Sequence, residues 1–112
     1  MSLKIKRINK ELFKEVFSFG KNAHSDLVFL KKLKIKGKDR FFSFVVSSKV
    51  SKKAVVRNKL KRRARHITVR MARSLVPGIA VAVFFKKGAE GLGPEELEEK
   101  LVSLYRKAGI LQ

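Results

Sequence analysis

The sequence contains no cysteine, which excludes disulfides, zinc–thiolate sites and cysteine nucleophiles and suits a reducing cytoplasm. No apolar run approaches the roughly 20 residues of a membrane span. The opening stretch MSLKIKRINKELF carries no apolar signal core ahead of a cleavage site. The expectation is a soluble, cytoplasmic chain with no membrane partner. Histidine is scarce too: His24 and His66 are the only two and lie far apart in sequence. The glycines at 88, 91 and 93 are not followed by the Lys and Ser/Thr of a phosphate-cradling loop. Acidic residues number only 9, and five of them fall between Glu90 and Glu99. That acidic cluster heads a predicted helix, where the helix dipole accounts for it. By itself the chain carries no recognisable catalytic apparatus.

What is present is positive charge. Against the 9 acids stand 28 Lys and Arg, a formal net charge of +19. Between Arg40 and Gly88 there are fourteen Lys or Arg and no carboxylate. A balance this uneven favours a polyanionic partner, and it predicts one almost purely positive face on the folded domain. The 112 residues, 45% of them hydrophobic, are enough for one domain with its own core and too apolar for a disordered basic tail. The expectation is a single RNA-binding domain spanning residues 1–112.

The hydrophobic pattern predicts the order α-β-β-α-β-α, an α+β fold with a small sheet packed by helices. In NKELFKEVFSFGK, Asn9 can cap a short helix and Gly20 can end it. Leu12 and Val16 share one stripe of that helix, and Phe13 and Phe17 another. LVFLKKLKI (27–35) and RFFSFVVSS (40–48) read as strands joined through KGKD as a β-hairpin. Phe42, Phe44 and Val46 face one side of the second strand, and Phe41, Ser43 and Val45 the other. From about Ser51 to Leu75 the period is helical, with Val56, Leu60, Ala64, Ile67, Met71 and Leu75 forming a narrow apolar stripe. Pro77 and Gly78 stop it. IAVAVFF (79–85) suits a strand covered on both faces, and KKGAEGLG a loop. Pro94 opens a last helix whose buried stripe is Leu97, Leu101, Leu104 and Tyr105.

The central helix carries the strongest functional signal. Of the fourteen residues KAVVRNKLKRRARH (53–66), seven are Lys or Arg and none is acidic. Like charges one turn apart repel by a few tenths of a kcal/mol per pair, and solvated surface helices usually alternate sign to relieve this. Arg57, Lys61 and Arg65 lie on one ridge, with Asn58 and Arg62 on the next. This spacing sets several cations against successive phosphates, and Arg can fork onto one phosphate with two hydrogen bonds. A basic helix embedded between strands, not crossed by a partner helix as in DNA-reading motifs, favours RNA. Nine Phe, one Tyr and no Trp make the chain Phe-rich. Most of these rings must be core, but Phe13, Phe17 and Phe29 are candidates for partly exposed platforms on which unpaired bases stack.

The stretch VSSKVSKKAVVRNKLKRRAR (46–65), together with RINKELFKEVFSFGK upstream, resembles the bacterial ribonuclease P protein subunit family. The likeness runs from about Lys6 to Arg106 in the same order of elements. It implies that Arg57, Asn58, Lys59, Lys61, Arg62 and Arg65 contact a catalytic ribonuclease P RNA and help metal ions held there. Phe13, Phe17 and Phe29, with Lys49, Lys52 and Lys53, would line a cleft for the single-stranded 5′ leader of precursor tRNA. Magnesium and the cleavage chemistry would belong to the RNA subunit; the protein itself would bind no cofactor and no metal, and would supply no catalytic residue. One protein per RNA, monomeric alone, is the expected stoichiometry. The resemblance also implies a left-handed βαβ crossover through the basic helix, where the general rule favours the right hand. Two positions depart from the family pattern. Lys59 stands where Arg is expected, keeping the charge but losing the fork, and Ser48 stands where Lys is usual. The alternatives are a ribosomal or general RNA-binding protein with no role in tRNA processing, and an autonomous nuclease.

Overall fold

The computed structural model describes residues 4–112, so the first three residues of the N-terminal stretch lie outside it. Five strands and three helices follow one another as β1 (Ile5–Arg7), α1 (Lys10–Phe19), β2 (Lys21–His24), β3 (Val28–Lys34), β4 (Arg40–Val45), α2 (Ala54–Arg70), β5 (Ile79–Phe85) and α3 (Pro94–Lys107). The strands form one sheet in the order β1-β4-β5-β3-β2. The predicted α-β-β-α-β-α framework is present. The two added strands escaped notice because β1 has three residues and β2, KNAH, is short and polar.

The chemistry of β5 explains the sheet order. Its run IAVAVFF is apolar on both faces, so it belongs in the centre. Ile79, Val81, Val83 and Phe85 join Leu30, Phe42 and Phe44 in the larger core, beneath Leu60, Ala64 and Ile67 of α2 and Leu97, Leu101, Leu104 and Tyr105 of α3. Ala80 and Ala82 face the other way and receive Val16 of α1. Their small side chains let the helix settle close to the sheet. Phe42, Phe44 and Val46 are buried while Phe41, Ser43 and Val45 are half-buried, as the alternation predicted.

The expected hairpin between the 27–35 and 40–48 segments does not form. β5 lies between them, antiparallel to β3 and parallel to β4, because a strand apolar on both sides cannot be left at an edge. The turn joining β3 to β4 instead crosses the start of β5. There Ile35 N–H donates to Gly78 O at 2.9 Å, and Gly78 N–H to Asp39 O at 3.0 Å. Gly78 has φ +69°, and a Cβ on it would come within 2.7 Å of Gly37 O, so glycine is required at that crossing. The true hairpin partner of β3 is β2.

The helix ends follow their caps. The Asn9 side chain accepts from Leu12 N–H at 2.8 Å, a contact worth about 1 kcal/mol. α2 is shorter than the predicted 51–75 because the chain leaves the helix at Met71, makes a 3₁₀ turn over Ala72–Ser74 and meets the C-terminal residues. Val76 N–H donates to Ile110 O at 2.9 Å there. Leu75, the last residue of the predicted stripe, is nonetheless fully buried. The KKGAEGLG loop contains a short 3₁₀ turn, Ala89–Gly91. Between α2 and α3 the buried Thr68 Oγ1 donates to Ala64 O at 2.8 Å. Its one proton thus used, it accepts from Tyr105 Oη at 2.7 Å.

Candidate nucleic-acid interface

α2 presents cations on three sides. Arg57, Lys61 and Arg65 border the buried stripe on the flank nearest β4, and all three are half-buried. Arg57 Nη1 donates to Ser51 O at 2.9 Å, and Arg65 Nη2 to Phe42 O at 3.1 Å. The Arg65 guanidinium also lies 5.3 Å from the centre of the Phe44 ring. Burial first, and the neighbouring Arg7 second, lower its pKa from the ordinary arginine value. Each guanidinium carries five N–H donors, so one backbone bond leaves the rest free for a ligand. Asn58, Lys61, Arg62, Arg65 and His66 line an open groove of about 700 Å³ against Arg7 and Ser43.

The predicted contact residues do not all share one face. Lys59 is exposed, but two helical positions turn a side chain by about 200°, which puts it roughly opposite Lys61. Arg62 lines both flanks of the helix, since a second groove of about 770 Å³ separates Arg62, Arg63, His66 and Arg70 from Glu95, Glu98 and Glu99 of α3. Here one cation is neutralised internally, as Arg70 donates to Glu98. Among the described residues the ion pairs are Lys6–Asp39, Arg70–Glu98 and Lys100–Asp26. None involves Arg57, Lys59, Lys61, Arg62 or Arg65, so the ridge stands clear of the protein's own carboxylates.

Four phenylalanines, Phe13, Phe17, Phe29 and Phe84, gather on the other face of the sheet. Phe13 and Phe17, one turn apart on α1, have ring centres 6.2 Å apart. Both meet Phe84 of β5, at 6.3 and 6.1 Å, and Phe84 stacks on Phe29 at 4.8 Å with the planes within 9°. Phe17 is 51% exposed, while Phe13, Phe29 and Phe84 are half-buried. All three predicted platforms are thus brought together. Lys31 Nζ sits 4.2 Å from the Phe17 ring centre and donates to Phe17 O at 3.0 Å. Lys86 Nζ lies 5.7 Å from that of Phe29. Lys49, Lys52 and Lys53 are exposed in the segment leaving β4, and β4 ends where Val45 pairs with Phe84.

Phe84, Lys31 and Lys86 were not identified from sequence. Within a run apolar on both faces nothing distinguishes Phe84 from Phe85. Only the register that pairs it with Phe29 does so.

Chemically, the arrangement can hold phosphates along α2 and flat unpaired rings beside α1, with lysines between. It defines a class: a small basic α+β domain with free cations on a central helix and partly open aromatic rings on the opposite sheet face. Comparison with known proteins gives the particular family. A family model described as Ribonuclease P matches residues 4–109, and the chain belongs to that family. The ribonuclease P protein component of Synechocystis sp. is 35% identical over 101 residues, covering 88% of this chain and 81% of its own. That of Brevibacillus brevis is 28% identical over 102 residues, covering 91% and 81%. The structure of the Staphylococcus aureus RNase P protein shares the fold with a TM-score of 0.87 at 18% identity, covering 95% of this chain and 97% of the other. Among the described residues no helix is long and apolar enough to cross a membrane.

Proposed function

We propose that this chain, as the protein subunit of a ribonuclease P holoenzyme, binds the catalytic RNA through α2 and the 5′ leader of precursor tRNA through the aromatic face beside α1. The observation that carries this reading is the ridge Arg57–Lys61–Arg65, without a carboxylate partner, on a helix whose N-terminal end emerges next to the Phe84 end of the sheet. Asn58, Lys59 and Arg62 extend the RNA-subunit contact. Phe17, the most exposed of the four rings, holds the leader by stacking, Phe13, Phe29 and Phe84 keep that ring in place and meet the leader at their exposed edges, and Lys49, Lys52 and Lys53 hold it by charge. The cleavage chemistry and its magnesium belong to the RNA. The protein's cations screen repulsion between the two RNAs, which raises substrate affinity and lowers the magnesium needed.

Reconstitution with a bacterial ribonuclease P RNA tests this. At low magnesium the protein should restore leader removal, and it should cut nothing without the RNA. Binding should weaken with salt at a log–log slope of roughly −0.7 per single-strand phosphate contacted. Phe17→Ala or Phe84→Ala should lower affinity for precursor and leave that for mature tRNA unchanged. Equal affinity of the wild-type holoenzyme for precursor and mature tRNA would favour a general RNA-binding protein instead.

A further inference from the structure

The aromatic row on the α1 side does not end at Phe29. His24, exposed on the edge strand β2, has its imidazole centre 5.2 Å from the Phe29 ring with the planes within 16°. Phe29 stacks on Phe84 at 4.8 Å. The three residues occupy one cross-strand row, because His24 pairs with Phe29 and Phe29 with Phe84. Ring spacings this close to the roughly 4.8 Å between strands mean that the rings stand up from the sheet and stack on one another.

In such a ladder the inner rings are covered by their neighbours, and only an end ring keeps an open face. At one end Phe84 is met by Phe13 and Phe17. At the other, β2 is the last strand of the sheet, so the outer face of His24 is open. Cations already stand around that end. Lys107 Nζ donates to His24 O at 2.8 Å, and Lys86 Nζ to Ser25 O at 3.2 Å. The nearby carboxylate, Asp26, is paired with Lys100 at 2.9 Å, which leaves the other two lysines in excess.

We propose that His24 is the outer rung of this ladder and that an unpaired nucleobase stacks on its open face, with the adjoining phosphates meeting Lys86 and Lys107. The proposal rests on the reading that this face holds the leader, and it makes the β2 edge the side over which the leader departs. A flat π-face flanked by cations suits a nucleotide better than an apolar peptide, and stacking of this kind tolerates any base.

The test uses the reconstituted holoenzyme with wild-type, His24→Ala or His24→Phe protein, and precursors whose leaders grow one nucleotide at a time. Wild type and His24→Ala should bind mature tRNA and the shortest leaders alike. They should diverge by about five- to tenfold, the loss of one stacked base, once the leader reaches the rung. His24→Phe, which keeps the flat ring, should restore the affinity. Thermal melting should show every free variant folded, with His24→Ala only slightly below wild type for the lost stack on Phe29, since the side chain is exposed at an edge. If His24→Ala binds every leader length as wild type does, or loses affinity equally for mature tRNA, the proposal is overturned and the leader site itself stands. Failure of His24→Phe to rescue overturns it as well. A wild-type holoenzyme that gains nothing from any leader removes both the proposal and the reading beneath it.

Discussion

The two long helices that share the larger core are built on opposite principles. α3 follows most local rules, although its N-cap, Gly93, supplies no side-chain cap. Pro94 opens it, Glu95 and Glu96 stand at its positive end, and Arg106 and Lys107 at its negative end. The Glu96 side chain accepts from Gly93 N–H at 3.2 Å, and Leu101, Leu104 and Tyr105 are fully buried. α2 keeps a cation, Arg70, at its negative end but departs from the rules at its start. A lysine, Lys53, occupies its N-cap with no side-chain cap, and no acid lies in its first turn. Its charged flanks repel one another along most of its length. The larger core holds α2 in place through Leu60, Ala64, Ile67 and Thr68, so its exposed positions are released from helix-stabilising duty. The difference teaches that charge on α3 serves folding, while charge on α2 is retained against folding, as expected where a ligand supplies the missing negative charge.

The contrast can be broken by substitution. Leu101→Ala in α3 should have the largest effect, destabilising the free protein by about 2–5 kcal/mol, read as a drop in the urea midpoint. Next, Lys53→Asp should give α2 the cap it lacks and stabilise the free protein by about 1 kcal/mol, while weakening binding to the ribonuclease P RNA in a filter assay. A variant that is no more stable, or that binds more tightly, would contradict the idea that α2 is held in tension. Arg65→Ala should cost about 1 kcal/mol through the lost bond to Phe42 O, visible by melting, and should reduce RNA affinity by more than this fold effect alone explains. Circular dichroism should still show a folded domain.

The smallest effect joins the two helices. The buried Tyr105 hydroxyl is pushed well above the usual tyrosine range, chiefly by burial, with the Thr68 bond and Arg65 pulling the other way. A raised folded-state pKa stabilises the fold fully below the unfolded value of about 10. That contribution is lost as pH rises beyond it. Urea midpoints should therefore fall with alkaline pH more steeply in wild type than in Tyr105→Phe. Parallel curves would show that Tyr105 does not carry the effect.

How far these features could be read in advance depended on the range of the interaction behind each. The cap at Asn9, the stop at Gly20, the start at Pro94 and the buried stripe of α3 are contacts within a few residues, and all were legible. The basic ridge of α2 was legible for the same reason, since helical spacing alone aligns Arg57, Lys61 and Arg65. The hairpin expected between β3 and β4 failed because nothing local marks a strand that will be inserted between two others. Phe84 was missed because its partners Phe13, Phe17 and Phe29 come from elements distant in sequence.

By itself, then, the sequence determined the composition of each element, the sign of the molecule's charge and the helix on which that charge is concentrated, because these depend on side-chain chemistry and helical period. Only the tertiary structure decided that β5 divides β3 from β4, that four phenylalanines and a histidine meet on one face, and that Glu98 pairs with Arg70 while the ridge stays clear. Those outcomes follow from strand register and from burying a doubly apolar strand at the centre of the sheet, which no single segment specifies.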